Sequence, residues 1–305
     1  MNWLVKVAAF KCLSTMPGGK RLYRFSQERF TKSLVPTRDR VGQKIGVGLQ
    51  YLEWLAANGC VDRLLRGAHL DFGTGWHPTI PLLFYSLGCD RQFLFDVASW
   101  LDAPMIASTR ETFLSIVEDP KWAHRSKVKR LPAAPDGTDW RAYLGSLGMS
   151  YHAPYFDAFP SVRESLDVVT STQVLIYIPR EPLVQCFKSL HQSLKSGGLL
   201  LATVYLKDLY ADMDRSISKY NHLRYSPETW KRWFCSPLSS FNRFKARDYR
   251  EALEAAGFRI RHFEVEGPTA DDLKELEAIP VHPSFNRFTK EELGAKNLFF
   301  VAENA

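Results

Sequence analysis

Short apolar runs alternate with segments of helical periodicity along most of the chain from Ala68 onward. Short apolar runs are typical of strands buried on both faces, and the intervening segments have the apolar spacing of helices. This alternation predicts an α/β fold with a doubly wound, mostly parallel sheet. The predicted strands are Ala68–Phe72, Gln92–Asp96, Asp167–Ser171, Leu199–Tyr205, Phe258–Val265 and Asn297–Ala302, and the predicted helices are Thr79–Leu87, a segment within Pro104–Val117, Pro182–Leu194 and Ala246–Ala256.

Two regions differ from this alternation. Residues 1–66 have no clear strand pattern, and the apolar spacing of Ile45–Ala57 ahead of Asn58-Gly59 predicts a helix. We therefore expect residues 1–66 to form a helical N-terminal cap. Residues 206–245 are polar and rich in aromatic side chains, and we expect a helical insertion after strand five that serves as a substrate lid. Proline and turn residues between 119 and 159 predict irregular structure.

The most informative local pattern is the glycine turn Gly73-Thr74-Gly75, which follows a predicted strand and precedes a predicted helix. Asp96 ends the next apolar run. A strand, a glycine turn and a helix bring the backbone close to a nucleotide-like ligand, and an acid at the end of the second strand can accept hydrogen bonds from ribose hydroxyls. The pattern predicts a site for an adenosine-containing ligand, although such turns also occur in connections that bind nothing.

Two ligands of this kind are the dinucleotide of an NAD(P)-dependent oxidoreductase and S-adenosylmethionine (SAM). The dinucleotide fingerprint G-x-G-x-x-G fails at Pro78. Pro78 and Pro81 also remove two amide donors from the helix N-terminus, where a pyrophosphate would bind. Because SAM carries no phosphate, the turn favours SAM, and the oxidoreductase stays as the alternative.

Composition adds limits on partners. The net charge of +7 permits anionic partners, but the chain has no long lysine or arginine run and no nucleic-acid motif, so we expect no nucleic-acid partner. The five cysteines are far apart and form no C-x-x-C pair, which predicts no metal site and a cytoplasmic location. A pocket for an organic substrate and a plain core are both compatible with the aromatic content of 13%.

Residues 1–16 resemble a broken signal peptide, because Lys6 and Lys11 interrupt the apolar run. The segment is too short to span a membrane, so we expect an amphipathic helix and no stable membrane insertion. Packing on the protein, a contribution to a homodimer and contact with a membrane surface are the alternatives.

Four blocks in this order resemble the class I SAM-dependent methyltransferases: Leu70-Asp-Phe-Gly-Thr-Gly75, the acidic strand end at Asp96, Asp167-Val-Val-Thr-Ser-Thr-Gln-Val-Leu175 and Leu194-Lys-Ser-Gly-Gly-Leu-Leu-Leu201. The resemblance covers roughly residues 68–205 and 246–302. It implies a Rossmann-like sheet of seven strands, a SAM-binding domain over residues 67–305, SAM as cofactor, and methyl transfer to O, N or C of a small-molecule acceptor. Similarity to a bacterial subgroup associated with polysaccharide and natural-product genes implies a role in secondary or cell-surface metabolite biosynthesis.

The chain departs from the class at His77, where a third glycine is common, and at Leu175-Ile-Tyr177, where Leu-Glu-His is frequent. A non-catalytic binding protein with the same fold is therefore a further alternative.

The resemblance also implies contacts to the cofactor. Asp71 would bind the ammonium of SAM, Asp96 the ribose and Asp157 the adenine amino group, whereas local capping is the structural alternative for Asp71 and Asp157. The full set of expected cofactor residues is Asp71, Gly73, Thr74, Gly75, His77, Asp96, Asp157, Thr172 and Gln173.

Acid–base chemistry is needed only if the acceptor nucleophile must lose a proton. The candidates for catalysis are His222 in the insertion, Tyr177 after the fourth strand and Tyr205 after the fifth. A surface position for His222 and a core position for the tyrosines are the structural alternatives.

Overall fold

The computed structural model describes residues 2–16, 34–119, 121–122, 131–133, 139–155, 157–236 and 240–305. Its centre is a seven-stranded sheet in the order β3-β2-β1-β4-β5-β7-β6. Strands β1 to β5 are parallel, and β7 is antiparallel to both β5 and β6. The strands are β1 (His69–Phe72), β2 (Gln92–Phe95), β3 (Met149–His152), β4 (Leu166–Thr172), β5 (Leu194–Tyr205), β6 (Arg259–Glu266) and β7 (Asn297–Glu303). The predicted doubly wound, mostly parallel sheet is confirmed.

Helices cover both faces of this sheet. They are α1 (Trp3–Thr15), α2 (Arg38–Ala57), α3 (Val61–Leu65), α4 (Thr79–Leu87), α5 (Ala103–Val117), α6 (Trp140–Ser146), α7 (Arg180–Ser193), α8 (Pro227–Trp233), α9 (Ala246–Ala255), α10 (Ala270–Glu277) and α11 (Lys290–Gly294). Alternate strand residues point to opposite cores, because side chains alternate across a strand. Leu200 of β5 joins a core with α7 and α9, whereas its neighbours Leu199 and Leu201 join a core with α2, α4 and α5.

The prediction of irregular structure for residues 119–159 is wrong between 140 and 152. Helix α6 and the edge strand β3 lie there, and β3 pairs in parallel with β2 from Met149 opposite Gln92 to His152 opposite Phe95. Residues 123–130 and 134–138 of this region lie outside the described residues. Strand β3 has only four residues, which is too few for its alternation to be distinguished from a loop.

The insertion is less helical than expected. Among its described residues, regular helix is limited to α8 and a 3₁₀ turn at Asn221–Arg224. Its aromatic residues Tyr210, Trp230, Phe234 and Phe241 are buried, and they extend the core that β5 forms with α7 and α9.

Helix α1 packs on these aromatic residues. The ring centroid of Trp3 lies 5.5 Å from that of Tyr210 and 5.0 Å from that of Phe234. The Trp3 amide also donates to Asp214 Oδ2 at 2.9 Å. The N-terminal segment therefore packs on the protein, as one of its three alternatives anticipated. The described part of the chain has no helix with the length and apolar character to cross a membrane.

The turn between α6 and β3 requires a glycine at position 148, and this requirement can be tested. Gly148 has φ +67°, and a Cβ added there would lie 1.7 Å from the carbonyl oxygen of Asp90. We expect Gly148→Ala to lower the free energy of unfolding by about 2–4 kcal/mol, because backbone strain and a clash with backbone combine. Denaturant unfolding would measure the loss.

Gly145 of α6 is the matched control, since a Cβ added there has open space around it. Gly145→Ala should leave the free energy of unfolding unchanged or raise it by up to ~1 kcal/mol through helix propensity. Equal stability of the two alanine variants would contradict the assigned turn geometry.

Candidate active site

The glycine turn after β1 is held by the protein itself. Gly73 and Gly75 have φ of +86° and +68°, in the left-handed region that glycine adopts without strain. The Gly73 amide donates to the carbonyl oxygen of Phe95 at 2.8 Å, at the end of β2. A Cβ on Gly73 would lie 2.2 Å from Val174 Cγ2, in the loop after β4. The turn thus lies between the ends of β2 and β4, and Gly73 is required there whether or not a ligand is bound.

Asp96, directly after β2, is the main anchor of this turn. Its Oδ2 accepts from the Gly75 amide at 2.7 Å, and its Oδ1 accepts from the Val97 amide at 2.7 Å and from Trp100 Nε1 at 2.9 Å. Burial raises the pKa of Asp96, and these three hydrogen bonds oppose the rise. Oδ2 accepts one of these three hydrogen bonds and Oδ1 accepts two, so Oδ2 has the greater capacity left to accept from a ligand hydroxyl.

Asp71, the third residue of β1, is a second buried carboxylate. Its side chain is 4% exposed, and Thr170 Oγ1 donates to its Oδ1 at 3.3 Å. Burial raises the pKa of Asp71 to about 6, and the positive charge of Lys44 is the largest influence in the opposite direction. The carboxylate is costly to bury, so an ammonium group from a ligand would stabilise it.

Lys44 of α2 is a site residue that sequence reasoning missed. Its Nζ donates to the carbonyl oxygen of His77 at 3.0 Å, which holds the ammonium beside the helix start after the glycine turn. Burial lowers the pKa of Lys44, and the charges of Asp71 and Asp96 counter this effect. The site therefore presents two carboxylates and one ammonium. No local pattern marks Lys44, because its partners are distant in sequence.

His77 and Thr74 support this arrangement. Nδ1 of His77 lies 3.1 Å from Thr109 Oγ1 of α5, and burial together with nearby cations lowers its pKa to about 3. The imidazole of His77 is thus neutral. The backbone carbonyl of the same residue accepts the hydrogen bond from Lys44. Thr74 is buried, and its hydroxyl lies 3.4 Å from the carbonyl oxygen of Asp71.

Thr172 and Gln173 lie at the C-terminal end of β4, where ligands bind in open parallel sheets. The Thr172 hydroxyl is 3.0 Å from the hydroxyl of Tyr51, a fully buried residue of α2 that also donates to the carbonyl oxygen of Ser171. Gln173 has φ +60°, and its Oε1 accepts from the Tyr205 amide at 2.6 Å. Both side chains therefore connect the ends of β4 and β5, and Tyr51 is a second residue that the sequence did not reveal.

The remaining candidates differ in exposure. Tyr177 is 54% exposed in the 3₁₀ turn Leu175–Tyr177, and Tyr205 is half-buried at the end of β5 with Lys207 Nζ 5.2 Å from its ring centroid. Asp157 is exposed on the turn after β3. The two tyrosines thus lie at the same edge of the sheet as the glycine turn.

His222 is buried, with 1% of its surface exposed, inside a polar network beneath the insertion. Its Nε2 lies 3.3 Å from Lys245 Nζ, which also donates to the carbonyl oxygens of Leu206 and Leu293. Burial lowers the pKa of His222 well below its usual value, so the imidazole is neutral. Burial also lowers the pKa of Lys245 to about 7. In this arrangement His222 joins the insertion to the segment that leads into β7, and the described residues leave it no open path to an acceptor.

The residues at the glycine turn fit SAM better than a dinucleotide. At the start of α4, Pro81 has no amide proton, Leu82 donates to the carbonyl oxygen of Pro78, and the Gly75 amide is bonded to Asp96. Few amides are left for a pyrophosphate, which binds such groups at helix N-termini. The amino-acid tail of SAM has one ammonium and one carboxylate, which match the opposite charges of Asp71 and Lys44.

Comparison with known proteins identifies the family. A family model described as "Methyltransferase domain" matches residues 49–262. No curated protein sequence matches the chain.

Similar solved structures share little sequence with this chain. An S-adenosylmethionine dependent methyltransferase from Mesorhizobium loti is 17% identical, with 82% of this chain and 97% of that chain covered and a TM-score of 0.43. Magnesium protoporphyrin IX methyltransferase from Synechocystis with bound S-adenosylhomocysteine is 16% identical, with 94% of each chain covered and a TM-score of 0.46. A SAM-dependent methyltransferase from Methanosarcina mazei is 14% identical, with 77% and 91% covered and a TM-score of 0.41.

The family model covers more than two thirds of the chain and includes β1 to β5 with the glycine turn. The chain belongs to the methyltransferase-domain family, the class I SAM-dependent methyltransferases, and its cofactor is SAM.

Proposed function

We propose that this protein transfers the methyl group of SAM to an O, N or C nucleophile of a small-molecule acceptor. The observation that carries the proposal is the position of Lys44 Nζ, which donates to the carbonyl oxygen of His77 beside the glycine turn, where Asp71 and Asp96 are also buried. Family membership does not favour the oxidoreductase or the non-catalytic alternative.

The cofactor residues divide into three groups in this proposal. Asp71 and Lys44 bind the ammonium and the carboxylate of the amino-acid tail, and Oδ2 of Asp96 accepts from a ribose hydroxyl. The backbone of Gly73-Thr74-Gly75 lies against the tail. Further contacts come from His77, Thr172, Gln173 and, for the adenine, Asp157.

The chain contributes mainly alignment to catalysis. SAM supplies an electrophilic methyl group on a sulfonium, so the acceptor must be held in line with that bond, an effect worth roughly 7–11 kcal/mol at best. Tyr177 and Tyr205 are the side chains proposed to orient the acceptor, since Tyr177 lies in the turn after β4 and Tyr205 ends β5, at the same edge of the sheet as the glycine turn. A hydroxyl in that position can donate to the acceptor or take part in removing its proton.

The segments around the sheet have separate proposed roles. Residues 67–305 form the SAM-binding domain, residues 1–66 cap it through α2, and residues 206–245 form the substrate lid. The acid–base role of His222 stays a prediction. Its neighbour Lys245 also donates to the carbonyl oxygen of Leu293, and this bond supports a role of the pair in holding the lid to the domain. The same proposal includes a cytoplasmic location, a role in secondary or cell-surface metabolite biosynthesis and the absence of a nucleic-acid partner. Free thiols at all five cysteines fit the cytoplasmic location.

Isothermal titration with SAM and with S-adenosylhomocysteine tests the proposed cofactor site directly. We expect both to bind at micromolar concentration, and release of S-adenosylhomocysteine in the presence of an acceptor would then report methyl transfer. Absence of binding at high micromolar concentration would overturn the proposed site.

The role of Lys44 can be separated from that of Asp96 with 5′-methylthioadenosine, which lacks the amino-acid tail. Lys44→Met should weaken binding of SAM about 10–100-fold, because a charged hydrogen bond is lost, and should leave binding of 5′-methylthioadenosine unchanged. Asp96→Asn should weaken binding of both ligands. Titration calorimetry measures all four affinities.

Lys188→Met, a substitution of an exposed lysine on α7, is the matched control and should change neither affinity. An equal loss of both ligands in Lys44→Met would contradict the assignment of Lys44 to the tail.

We expect the charge of Asp71 to lower the stability of the protein without ligand and to strengthen the binding of SAM. Its folded-state pKa of about 6 lies above its ordinary value of 3.8, so the folded state holds more protons between pH 4 and 6, and this residue makes stability fall as pH rises. Asp71→Asn removes this loss of stability at higher pH, because an amide does not ionise. Its side-chain oxygen can still accept the hydrogen bond from the Thr170 hydroxyl. We expect the variant without ligand to be more stable than the wild type by about 2–3 kcal/mol at pH 7.5, with the difference vanishing near pH 4.

The same variant should bind SAM more weakly, because the tail ammonium loses its carboxylate. Denaturant unfolding across the pH range and titration with SAM measure the two effects. A stability difference that is independent of pH would contradict the buried charge at Asp71.

A further inference from the structure

Helix α1 is apolar on the side that faces away from the protein as well as on the side that packs. Trp3, Val7 and Phe10 are buried, and Trp3 packs on Tyr210 and Phe234 of the insertion. The 3.6-residue repeat of the helix directs a second set of apolar side chains outward. We call this set together with Trp233 the α1 face: Leu4, Val5, Ala8, Ala9, Cys12, Met16 and Trp233, all of which are exposed.

Exposed apolar side chains are concentrated at this place. In the described part of the chain, nine large hydrophobic residues are exposed, and four of them, Leu4, Val5, Met16 and Trp233, belong to the α1 face. A fifth, Met213, contacts Lys6 of α1 through its sulfur. Val5 and Trp233 are the most exposed of this group, at 59% and 56%. A contiguous apolar patch of this kind marks an interaction surface.

Positive charges border the apolar residues. Lys6 and Lys11 lie on opposite sides of the outward strip of α1, and Lys11 Nζ is 5.5 Å from the ring centroid of Trp233. Lys231 and Arg232 of α8 are exposed beside that ring, with the Arg232 guanidinium 5.3 Å from its centroid.

Nearby acidic groups do little to balance these charges. Helix α1 has no acidic residue. Asp214 is buried and accepts hydrogen bonds from the Trp3 amide and from Ser216, and Asp212 is paired with Lys207. Glu228 is exposed in the first turn of α8, and it is the single acidic residue of that helix. The α1 face is thus an apolar strip with a cationic border.

We propose that the α1 face rests on the surface of an anionic lipid bilayer. An interfacial helix of this kind buries its apolar side chains at the boundary between headgroups and acyl chains, while lysine side chains extend to the phosphates. Tryptophan is enriched at that boundary. Each lysine or arginine near an anionic surface strengthens binding about fivefold.

A second copy of this chain is a poorer occupant of the same face. In a two-fold dimer each patch meets itself, so Lys6, Lys11, Lys231 and Arg232 would meet the same four cations of the other copy. Like charges placed together oppose such an interface. Negative lipid headgroups complement the cationic border.

Flotation of the full chain with vesicles tests the proposal without any methyl transfer, so it is independent of the proposed function. We expect the protein to bind vesicles of phosphatidylcholine with about 30% phosphatidylglycerol far better than vesicles of phosphatidylcholine alone. Binding should fall steeply at about 1 M salt, where charges are screened beyond about 3 Å.

Two variants divide the contributions of the face. Leu4→Glu with Val5→Glu should reduce binding to anionic vesicles at least tenfold, and Lys231→Gln with Arg232→Gln should reduce it about fivefold per charge. Val265→Glu, at a residue that is 38% exposed on β6, is the matched control and should bind like the wild type. Thermal melting of each variant verifies the fold.

Three results would overturn the proposal. The first is wild-type protein that does not float with anionic vesicles at low salt. The second is a loss of vesicle binding in the Val265→Glu variant that equals the loss in the variant with Leu4→Glu and Val5→Glu. The third is a concentration-dependent dimer, seen by light scattering, that the Leu4→Glu and Val5→Glu substitutions dissociate, since the α1 face would then be covered by a second copy.

Discussion

Burial of charge at the C-terminal edge of the sheet is the constraint on which the rest of this structure depends. Asp71 and Asp96 are 4% and 6% exposed, and a buried carboxylate is tolerated only where donors or cations reach it. Those groups come from separate segments: the glycine turn and Trp100 for Asp96, and Lys44 of α2 for Asp71. The turn, the segment after β2 and helix α2 must therefore be in place together. This dependence explains why α2 is held at the strand ends by electrostatics and by the Tyr51 hydroxyl, as well as by apolar packing.

Local patterns predicted the parts of this edge that adjoin one another in sequence. Helix α4 has the predicted bounds, and the second strand ends at Phe95, one residue before the predicted end at Asp96. These elements could be predicted because the signals for strand, turn and helix lie within a few residues of one another. Lys44, Tyr51 and Trp100 were missed. The polar groups of Lys44 and Tyr51 meet partners that only folding brings close, up to 152 positions away for Tyr51 and Thr203. Trp100 is four positions from Asp96, in a segment without a regular repeat that would mark its contact. Strand β3 was missed because four residues at a sheet edge carry too little periodicity.

The insertion shows that composition alone does not reveal whether aromatic side chains face a substrate pocket or the protein core. Its aromatic residues suggested a lid that lines a substrate pocket, yet Tyr210, Trp230, Phe234 and Phe241 are buried against one another and against Trp3. Aromatic content specifies a large apolar area without specifying which way it faces. His222 follows the same rule: its place in a polar segment suggested a surface position, but it is buried, with its Nε2 beside Lys245 and its backbone carbonyl accepting from Arg243. The aromatic residues of the insertion therefore extend the core of the domain.

Helix α1 lies between the aromatic residues of the insertion and the outside of the molecule. Its apolar residues occupy two sides of the helix, and each of these sides requires a partner. The insertion is the partner on one side, where Trp3 packs on Tyr210 and Phe234. On the proposed docking a bilayer is the partner on the other side, and the aromatic contacts of Trp3 then join the insertion to the membrane-bound helix. The contacts that stabilise the insertion would therefore also hold it close to the lipid surface.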